Sequence, residues 1–311
     1  MKALQIIEPY RFAIIDIEPP KPSADEVVIK LEYAAICNQN DYKIFYGLYG
    51  DLIKYPCDPG VYGHEGVGIV TKVGSDVSSL KAGDRVIMML DGGPMIYMEY
   101  VLRKADTVVP APKAKPEEAA VLELFGCAHH SMEVAGNLTG KKVAVSGLGP
   151  AGLAILQVMM AEGQPDEIIG IEVSPERTKA AMAMGLAKIL NPQTPEGMAA
   201  LMAEEIDTVI DATGVPQAML NSFEIAKKEV VIFGFTNEKF EVDQSRWFQK
   251  ELVIKNSKVQ TIDNLRAVVK LLEEGKINPG SFVGGIMPFA EYDKAVEKVY
   301  KKEAVKILLR W

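Results

Sequence analysis

The sequence predicts an α/β fold in which a doubly wound parallel sheet, covered on both faces by helices, is joined to a β-rich first part. Two patterns predict it. From about residue 119, apolar runs of strand length alternate with stretches of helical periodicity, which is typical of a parallel sheet. Before residue 118, short strand-like runs are interrupted by Gly, Pro and Asp, as in an antiparallel barrel or sandwich.

The strand-like runs follow one another along the whole chain. In the first part they include residues 26–30, 68–72 and 85–90. In the sheet they are residues 143–146, 168–173, 207–211, 229–233 and 252–255, with helix-like stretches such as 176–184 and 216–227 between them. Beyond the sheet, an apolar helical period covers residues 262–272, and residues 304–309 are strand-like again. A late surface helix and a final strand are therefore expected.

Size and composition limit the possible functions. The chain has 311 residues, 48% of them hydrophobic, which is enough for two modest cores or one large one. Its net charge is −8 without a basic block, which is against a nucleic-acid or anionic-membrane partner. No apolar run could span a bilayer, and the first residues lack the apolar core of a signal peptide. Three scattered cysteines predict a reduced, cytoplasmic protein.

A glycine turn follows the first strand of the sheet. It reads Gly147-Leu148-Gly149-Pro150-Ala151-Gly152, and an apolar helix follows. Such glycines allow a sharp turn, a close approach of backbone to a pyrophosphate, and tight helix packing. Glu172, twenty residues after Gly152, ends the next strand-like run, where its carboxylate can bind both hydroxyls of an adenosine ribose. The pattern predicts a dinucleotide site; the alternative is an ordinary strand-to-helix turn.

The first part of the chain contains residues suited to metal chemistry. Cys37 follows an apolar run, His64 and Glu65 stand before another, and Glu123 lies near the start of the sheet domain. Thiolate, imidazole and carboxylate are all good Zn²⁺ ligands, and three protein ligands leave a position open for substrate. Taken singly, each residue has an ordinary alternative: a buried thiol, a hydrogen-bonded loop histidine, and an acid at a helix N-terminus.

Together these motifs resemble the zinc-dependent medium-chain dehydrogenases/reductases, the alcohol and polyol dehydrogenase superfamily, over nearly the whole chain. The resemblance is carried by the cysteine after Ala-Ala-Ile, GHEGVGIV from Gly63, KAGDRV from Lys81, Val-Leu-Glu-Leu ending at Leu124, Asp211-Ala-Thr-Gly214, and the helix ending at Lys276. It implies a GroES-like β-barrel catalytic domain, residues 1–118 completed by 259–311. It also implies a Rossmann NAD-binding domain, residues 119–258, with the active site in the cleft between the two.

The resemblance implies one catalytic Zn²⁺ bound by Cys37, His64 and Glu123, with Glu65 as a fourth ligand or an outer carboxylate. The bound ion would act as a Lewis acid on an alcohol oxygen. A second, structural zinc is not expected, because the segment of residues 91–97 lacks the four cysteines that many members have there.

The usual proton relay is missing. The family places Ser or Thr two residues after the cysteine, but this chain has Gln39, which cannot pass a proton as a hydroxyl does. Asp41, Tyr42, Glu65 or a water chain are the candidate replacements, and the sequence does not choose among them.

On the cofactor side, the resemblance implies that Arg177 contacts the adenosine ribose and that Phe233-Gly234-Phe235 pass near the nicotinamide. It implies that Lys306 approaches the pyrophosphate, and Thr213 is assigned to the turn after the fourth sheet strand. Arg177 could instead be a solvated helix charge, and Lys306 an exposed lysine on an edge strand.

The sequence thus predicts a zinc- and NAD-dependent oxidoreductase of a secondary alcohol or polyol, its substrate a small alcohol or carbonyl compound. NAD is expected over NADP, because Glu172 would repel a 2′-phosphate. A homodimer or homotetramer is expected, paired near residues 252–255 or just after them. Two alternatives remain: a zinc-free quinone or enoyl reductase of the same fold, and a non-catalytic nucleotide-binding protein.

Overall fold

The computed structural model describes residues 1–89, 95–163 and 165–311, and it divides the chain into two compact units. Unit 1 comprises Met1–Leu124 and Leu265–Trp311, and unit 2 comprises Phe125–Asn264. The expected domains ended at residues 118 and 258, six residues before each of these boundaries (124 − 118 and 264 − 258). The shortened segment 91–97 lies in part outside the described residues.

Unit 1 is mainly β-structure. Its N-terminal part contains β1 (Lys2–Glu8), β2 (Arg11–Asp16), β3 (Glu26–Ala35), α1 (Asp41–Phe45), β4 (Glu65–Val73), β5 (Arg85–Met88), β6 (Tyr100–Lys104), β7 (Val108–Pro110) and α2 (Pro116–Ala119). Short 3₁₀ helices cover Gly50–Leu52 and Ala105–Thr107. The next helix, α3 (Leu122–Ala135), begins in unit 1 and continues into unit 2.

Unit 2 alternates strands and helices. After α3 come β8 (Lys142–Ser146), α4 (Pro150–Glu162), β9 (Glu167–Ile171), α5 (Pro175–Ala183), β10 (Lys188–Leu190), α6 (Pro195–Ala203), β11 (Thr208–Asp211), α7 (Pro216–Ile225), β12 (Glu229–Ile232), α8 (Ser245–Phe248) and β13 (Val253–Asn256). The chain re-enters unit 1 within α9 (Ile262–Glu273), followed by β14 (Val283–Pro288), α10 (Tyr292–Tyr300) and β15 (Lys306–Arg310), with 3₁₀ helices at Pro279–Phe282 and Phe289–Glu291.

The sheet of unit 2 has six strands in the order β10-β9-β8-β11-β12-β13, all parallel. This is the doubly wound order, whose direction reverses beside β8, and the predicted Rossmann fold is confirmed. Buried apolar side chains of β8, β9, β11 and β12 form the core under the helices. Such strands are continuously hydrophobic because helices cover both faces of the sheet.

The large sheet of unit 1 has the order β14-β15-β3-β4-β5-β7, with β6 also paired to β3. All its described pairings are antiparallel except that of β14 with β15. The hairpin β1–β2 joins it through a bridge between Ala3 and Met98. This is the GroES-like, mostly antiparallel domain that the sequence predicts. β15 lies between two other strands, so the alternative reading of Lys306 as an exposed edge-strand residue is wrong.

Among the described residues, no helix is long and apolar enough to cross a membrane.

Candidate functional site

Three metal-binding side chains meet in unit 1. Ligand atoms of Cys37, His64 and Glu65 all lie within 4.8 Å of one another. Strand pairing brings them together, because Ala35 at the end of β3 faces Glu65 at the start of β4. Cys37 follows β3 by two residues, and His64 directly precedes β4. Thiol, imidazole and carboxylate at this spacing form a donor set that fits one zinc ion.

The surroundings of His64 favour a cation at this position. Its Nδ1 lies 2.9 Å from the carbonyl oxygen of Tyr62, which can only accept, so Nδ1 carries the hydrogen and Nε2 is left for a metal. Burial lowers the pKa of His64, but the Cys37 thiolate, Glu123 and Glu65 together raise that pKa well above its usual value. The same negative charges that favour a proton there also favour a metal ion.

Glu65 is paired with a buried lysine. The Nζ of Lys306 lies 2.6 Å from Oε1 and 2.7 Å from Oε2 of Glu65, and it also donates to the carbonyl oxygen of Ile36 at 3.1 Å. Both side chains are almost fully buried. Burial lowers the pKa of Lys306, but Glu65, Cys37 and Glu123 together raise that pKa above its usual value. The contact of Lys306 with a cofactor pyrophosphate stays a prediction.

Glu123 lies in the first turn of α3 and is buried, but it is not in the set of atoms within 4.8 Å. Its carboxylate still acts on the cluster. Burial raises the pKa of Glu65 and the charge of Glu123 raises it further, and Glu123 also contributes to the raised pKa of His64. The geometry therefore favours Glu65 as the carboxylate of the set. Ligation by Glu123 stays a prediction.

The candidate proton-relay residues differ in exposure. Gln39 is exposed, and its backbone N–H lies 3.5 Å from the sulfur of Cys37. Asp41 is completely buried and accepts hydrogen bonds from the Cys37 amide and from the hydroxyls of Tyr97 and Tyr292. A carboxylate enclosed in this way has no contact with solvent, which is against the relay role considered for Asp41.

Sequence reasoning missed the two tyrosines that contact Asp41. They lie 56 and 251 residues away from it along the chain. Neither belongs to a motif with a chemical signature, so no sequence signal pointed to them.

The glycine turn of unit 2 forms a cradle of backbone at the N-terminus of α4. Gly147 has φ +83°, a conformation that favours glycine, and Gly149 is the N-cap of α4. A Cβ on Gly152 would collide with the carbonyl oxygen of Gly147. At Gly149, in contrast, a Cβ would meet only the guanidinium of Arg177, at 3.8 Å. A helix N-terminus with room beside it favours an anion, and binding of a cofactor pyrophosphate beside Gly149 stays a prediction.

Glu172 closes the turn from the neighbouring strand. Its Oε2 accepts from the amide of Leu148 at 2.7 Å, and its Oε1 accepts from those of Val173 and Ser174 at 2.8 and 2.9 Å. Arg177 Nη1 lies 3.7 Å from Oε2. A buried carboxylate thus stands directly after β9, beside the same cradle.

The remaining predicted cofactor residues lie after β11 and β12. The hydroxyl of Thr213 donates to Oδ1 of Asp211 at 2.7 Å. The Thr213 methyl group packs on Gly147, where a Cβ on Gly147 would lie only 2.7 Å from it. The amides of Phe233 and Gly234 both donate to the carbonyl oxygen of Asp211, and Phe235 is exposed. The structure therefore groups these residues at the carboxyl ends of β8, β11 and β12, where ligands bind in doubly wound sheets. Their contacts with a cofactor stay predictions.

Comparison with known proteins covers both units. Residues 23–113 match the alcohol dehydrogenase GroES-like domain, and residues 150–274 match the zinc-binding dehydrogenase domain. D-arabitol-phosphate dehydrogenase of Enterococcus avium is 27% identical, over 96% of this chain and 94% of that protein.

Two solved structures resemble the whole chain. The 2R,3R-butanediol dehydrogenase of Bacillus subtilis superposes with a TM-score of 0.86 at 25% identity, covering 100% of this chain and 99% of the other. An alcohol dehydrogenase, RspB, of Escherichia coli CFT073, solved with NADH, gives 0.88 at 26% identity with the same coverage. The two matched domains, the metal-binding cluster and the full-length relatives lead to one conclusion: this chain belongs to the zinc-binding medium-chain alcohol dehydrogenase family.

Proposed function

We propose that this protein is a zinc-dependent oxidoreductase that transfers a hydride between a secondary alcohol or polyol and NAD. The observation that carries the proposal is the cluster of Cys37, His64 and Glu65, whose donor atoms suit zinc and leave a coordination position for substrate. Relatives that act on a diol and on a sugar-alcohol phosphate support the substrate class.

Each side chain of the cluster has a task in this reaction. Zinc held there supplies Lewis-acid chemistry, which lowers the pKa of an alcohol. Cys37 provides the thiolate and His64 its Nε2, with the imidazole oriented by the carbonyl of Tyr62. Burial raises the pKa of Glu65, and Lys306 acts against that effect by favouring the charged carboxylate. With Asp41 enclosed, Tyr42, Glu65 or a water chain remain the candidates for moving the substrate proton to solvent.

NAD is the proposed cofactor, and it would accept the hydride. The cradle at Gly149 supports binding of its pyrophosphate, and Glu172 supports selection of a free ribose over a 2′-phosphate. Three backbone N–H groups donate to Glu172 and fix its carboxylate beside the turn, where its negative charge would repel a 2′-phosphate. Arg177, close to the same carboxylate, could soften that preference.

A test of the proposal compares zinc content and turnover. Protein purified without chelator is expected to contain one zinc per chain. It should form NADH from butane-2,3-diol or from a pentitol phosphate, and form less NADPH from NADP. Cys37→Ser is expected to lose zinc and activity yet keep NAD binding in calorimetry, because the glycine turn lies in a unit that needs no metal to fold.

Cys57→Ala is the matched control, since Cys57 is a buried thiol that is not in the metal-binding set. It should keep its zinc. Protein without zinc, whose activity toward enoyl substrates is indifferent to added zinc, would instead indicate the zinc-free reductase. NAD binding without turnover on any alcohol would indicate the nucleotide-binding protein.

A further inference from the structure

A carboxylate is buried next to the metal-binding cysteine without being close enough to bind the metal. Asp41, the first residue of α1, has no solvent exposure. Its Oδ2 accepts from the backbone N–H of Cys37 at 2.7 Å, and its Oδ1 accepts from the hydroxyls of Tyr97 and Tyr292, both at 2.8 Å. Asp41, the Cys37 amide and the two tyrosines form the Asp41 cluster. Asp41 is not among the residues that could hold the ion.

The two tyrosines hold the carboxylate from the core of unit 1. Both are completely buried, and their rings meet edge to face with centroids 5.7 Å apart. Phe289 packs on Tyr97 and Phe45 on Tyr292, each at 5.5 Å and also edge to face. Rings packed in this way leave the hydroxyls little freedom, so Asp41 is fixed from two directions.

The Asp41 cluster controls the turn that carries the thiol. Asp41 binds the amide of Cys37 four residues before it, which closes the turn between β3 and α1. Within the same turn, the N–H of Gln39 lies 3.5 Å from the sulfur of Cys37. Fixing the Cys37 backbone therefore also fixes the direction of its Cα–Cβ bond and the group that donates to its sulfur.

We propose that Asp41 is a positioning residue for the metal centre. Held by Tyr97 and Tyr292, it orders the backbone of Cys37 before a metal binds, so that the thiolate already points toward His64 and Glu65. Preorganised ligands lose less freedom on binding, which strengthens the complex. The inference rests on the zinc site of the proposed function, and it adds residues that bind neither metal nor substrate.

Zinc affinity and a spectroscopic signal test the proposal on the full-length chain. Affinity is measured by competition with a chromophoric chelator. The geometry of the thiolate is measured by the sulfur-to-cobalt charge-transfer absorption of Co²⁺-loaded protein. Tyr97→Phe combined with Tyr292→Phe removes only two hydroxyl groups, and it is expected to lower zinc affinity about 10- to 100-fold and to weaken the cobalt band. Asp41→Ala should lower both at least as much.

Asp41→Asn separates positioning from general stability. Its amide oxygen can still accept from the Cys37 N–H, while its NH₂ group can donate to the tyrosine hydroxyls. It should therefore stay within about threefold of the unmodified affinity. Tyr33→Phe is the matched control for the double variant, because the Tyr33 hydroxyl also donates to a carboxylate, that of Glu117, outside the Asp41 cluster.

Each outcome decides the proposal. The proposal is overturned if the double tyrosine variant keeps its zinc affinity and its cobalt band. It is also overturned if Tyr33→Phe loses as much zinc affinity as the double variant. An Asp41→Asn variant as weak as Asp41→Ala would also overturn it, since the charge and not the acceptor would then matter. If the unmodified protein binds no zinc, the zinc-dependent function is contradicted, and the positioning role of Asp41 falls with it. If Asp41→Ala does not fold, the tyrosine variants still give the answer.

Discussion

Glu65 is a buried carboxylate beside the thiol of Cys37 and the imidazole of His64, and it needs a positively charged partner. The chain provides that partner as Lys306. Its amine contacts both oxygens of Glu65, and neither side chain reaches solvent. The pair is held in β15 and β4, on either side of β3 in the sheet. Because removal of one partner leaves the other charge buried alone, such pairs matter far more than surface ones.

Lys306→Met is therefore expected to destabilise unit 1 by about 3–5 kcal/mol. The measurement uses zinc-free protein in a Trp247→Phe background, where the fluorescence of Trp311 reports unfolding of unit 1 by urea; the chain has only these two tryptophans. Lys294→Met, which removes an exposed ion pair with Glu291, is the control and should leave the midpoint unchanged. If Lys306→Met left the urea midpoint as unchanged as Lys294→Met does, Glu65 would have to be protonated in the folded state.

At the scale of elements, the glycine turn has two functions, close packing of α4 and room for a ligand. Gly152 serves the first and Gly149 the second. Gly152 permits close packing, because a side chain there would collide with the turn itself. At Gly149, φ −73° and ψ −169° are open to any residue, and a Cβ would touch only the guanidinium of Arg177, at 3.8 Å. Backbone strain therefore does not require glycine there, which leaves two reasons for it: the N-cap preference of α4 and the close approach of a ligand.

Gly149→Ala is expected to leave the unfolding of unit 2 unchanged and to weaken NAD binding at least tenfold, because the new methyl group would occupy the place of the pyrophosphate. Gly152→Ala should weaken binding and also destabilise unit 2. Calorimetry of NAD binding and thermal unfolding measure the two effects. Full NAD affinity in Gly149→Ala would place the cofactor phosphates elsewhere.

Sequence patterns predicted elements well where periodicity was long. The strands predicted at residues 143–146 and 229–233 correspond to β8 and β12, and the helical period from Ile262 corresponds to α9. β10 was not predicted, since three half-buried residues are too few to show a period. Residues 172 and 173 were included in a strand, whereas β9 ends at Ile171. The amides of Val173 and Ser174 donate to the side chain of Glu172 and not to a neighbouring strand.

At the scale of the whole molecule, the family resemblance of local motifs predicted two domains and a metal site with Cys37 and His64. It expected Glu123 as the third ligand, whereas the structure brings Glu65 into the set. It did not predict partners brought together only by tertiary folding. Tyr97 and Tyr292 meet Asp41 across the core, and Lys306 reaches Glu65 across 241 residues. Such contacts depend on sheet order, which periodicity does not determine.

Among the described strands, β13 pairs on one side only, with β12, so it forms an edge of the sheet of unit 2. Val253 and Ser257 direct their N–H groups inward, to the carbonyl oxygens of Lys228 and Ile232. Because backbone groups alternate along a strand, the N–H of Asn256 points outward. Val253 is also 49% exposed. An edge with free donors and apolar exposure is suited to pairing with a second copy of the chain.

We therefore expect a dimer or tetramer that pairs through β13. Asn256→Pro removes the outward N–H and leaves the hydrogen bonds between β13 and β12 in place. At micromolar concentration, the mass measured by light scattering should shift toward the 34.0 kDa of one chain. Asn256→Ala keeps the N–H and should keep the larger mass, so side-chain loss is controlled. A 34.0 kDa particle for the unmodified protein would contradict the expectation of an oligomer. An unchanged larger mass in Asn256→Pro would place the interface on a surface other than this edge.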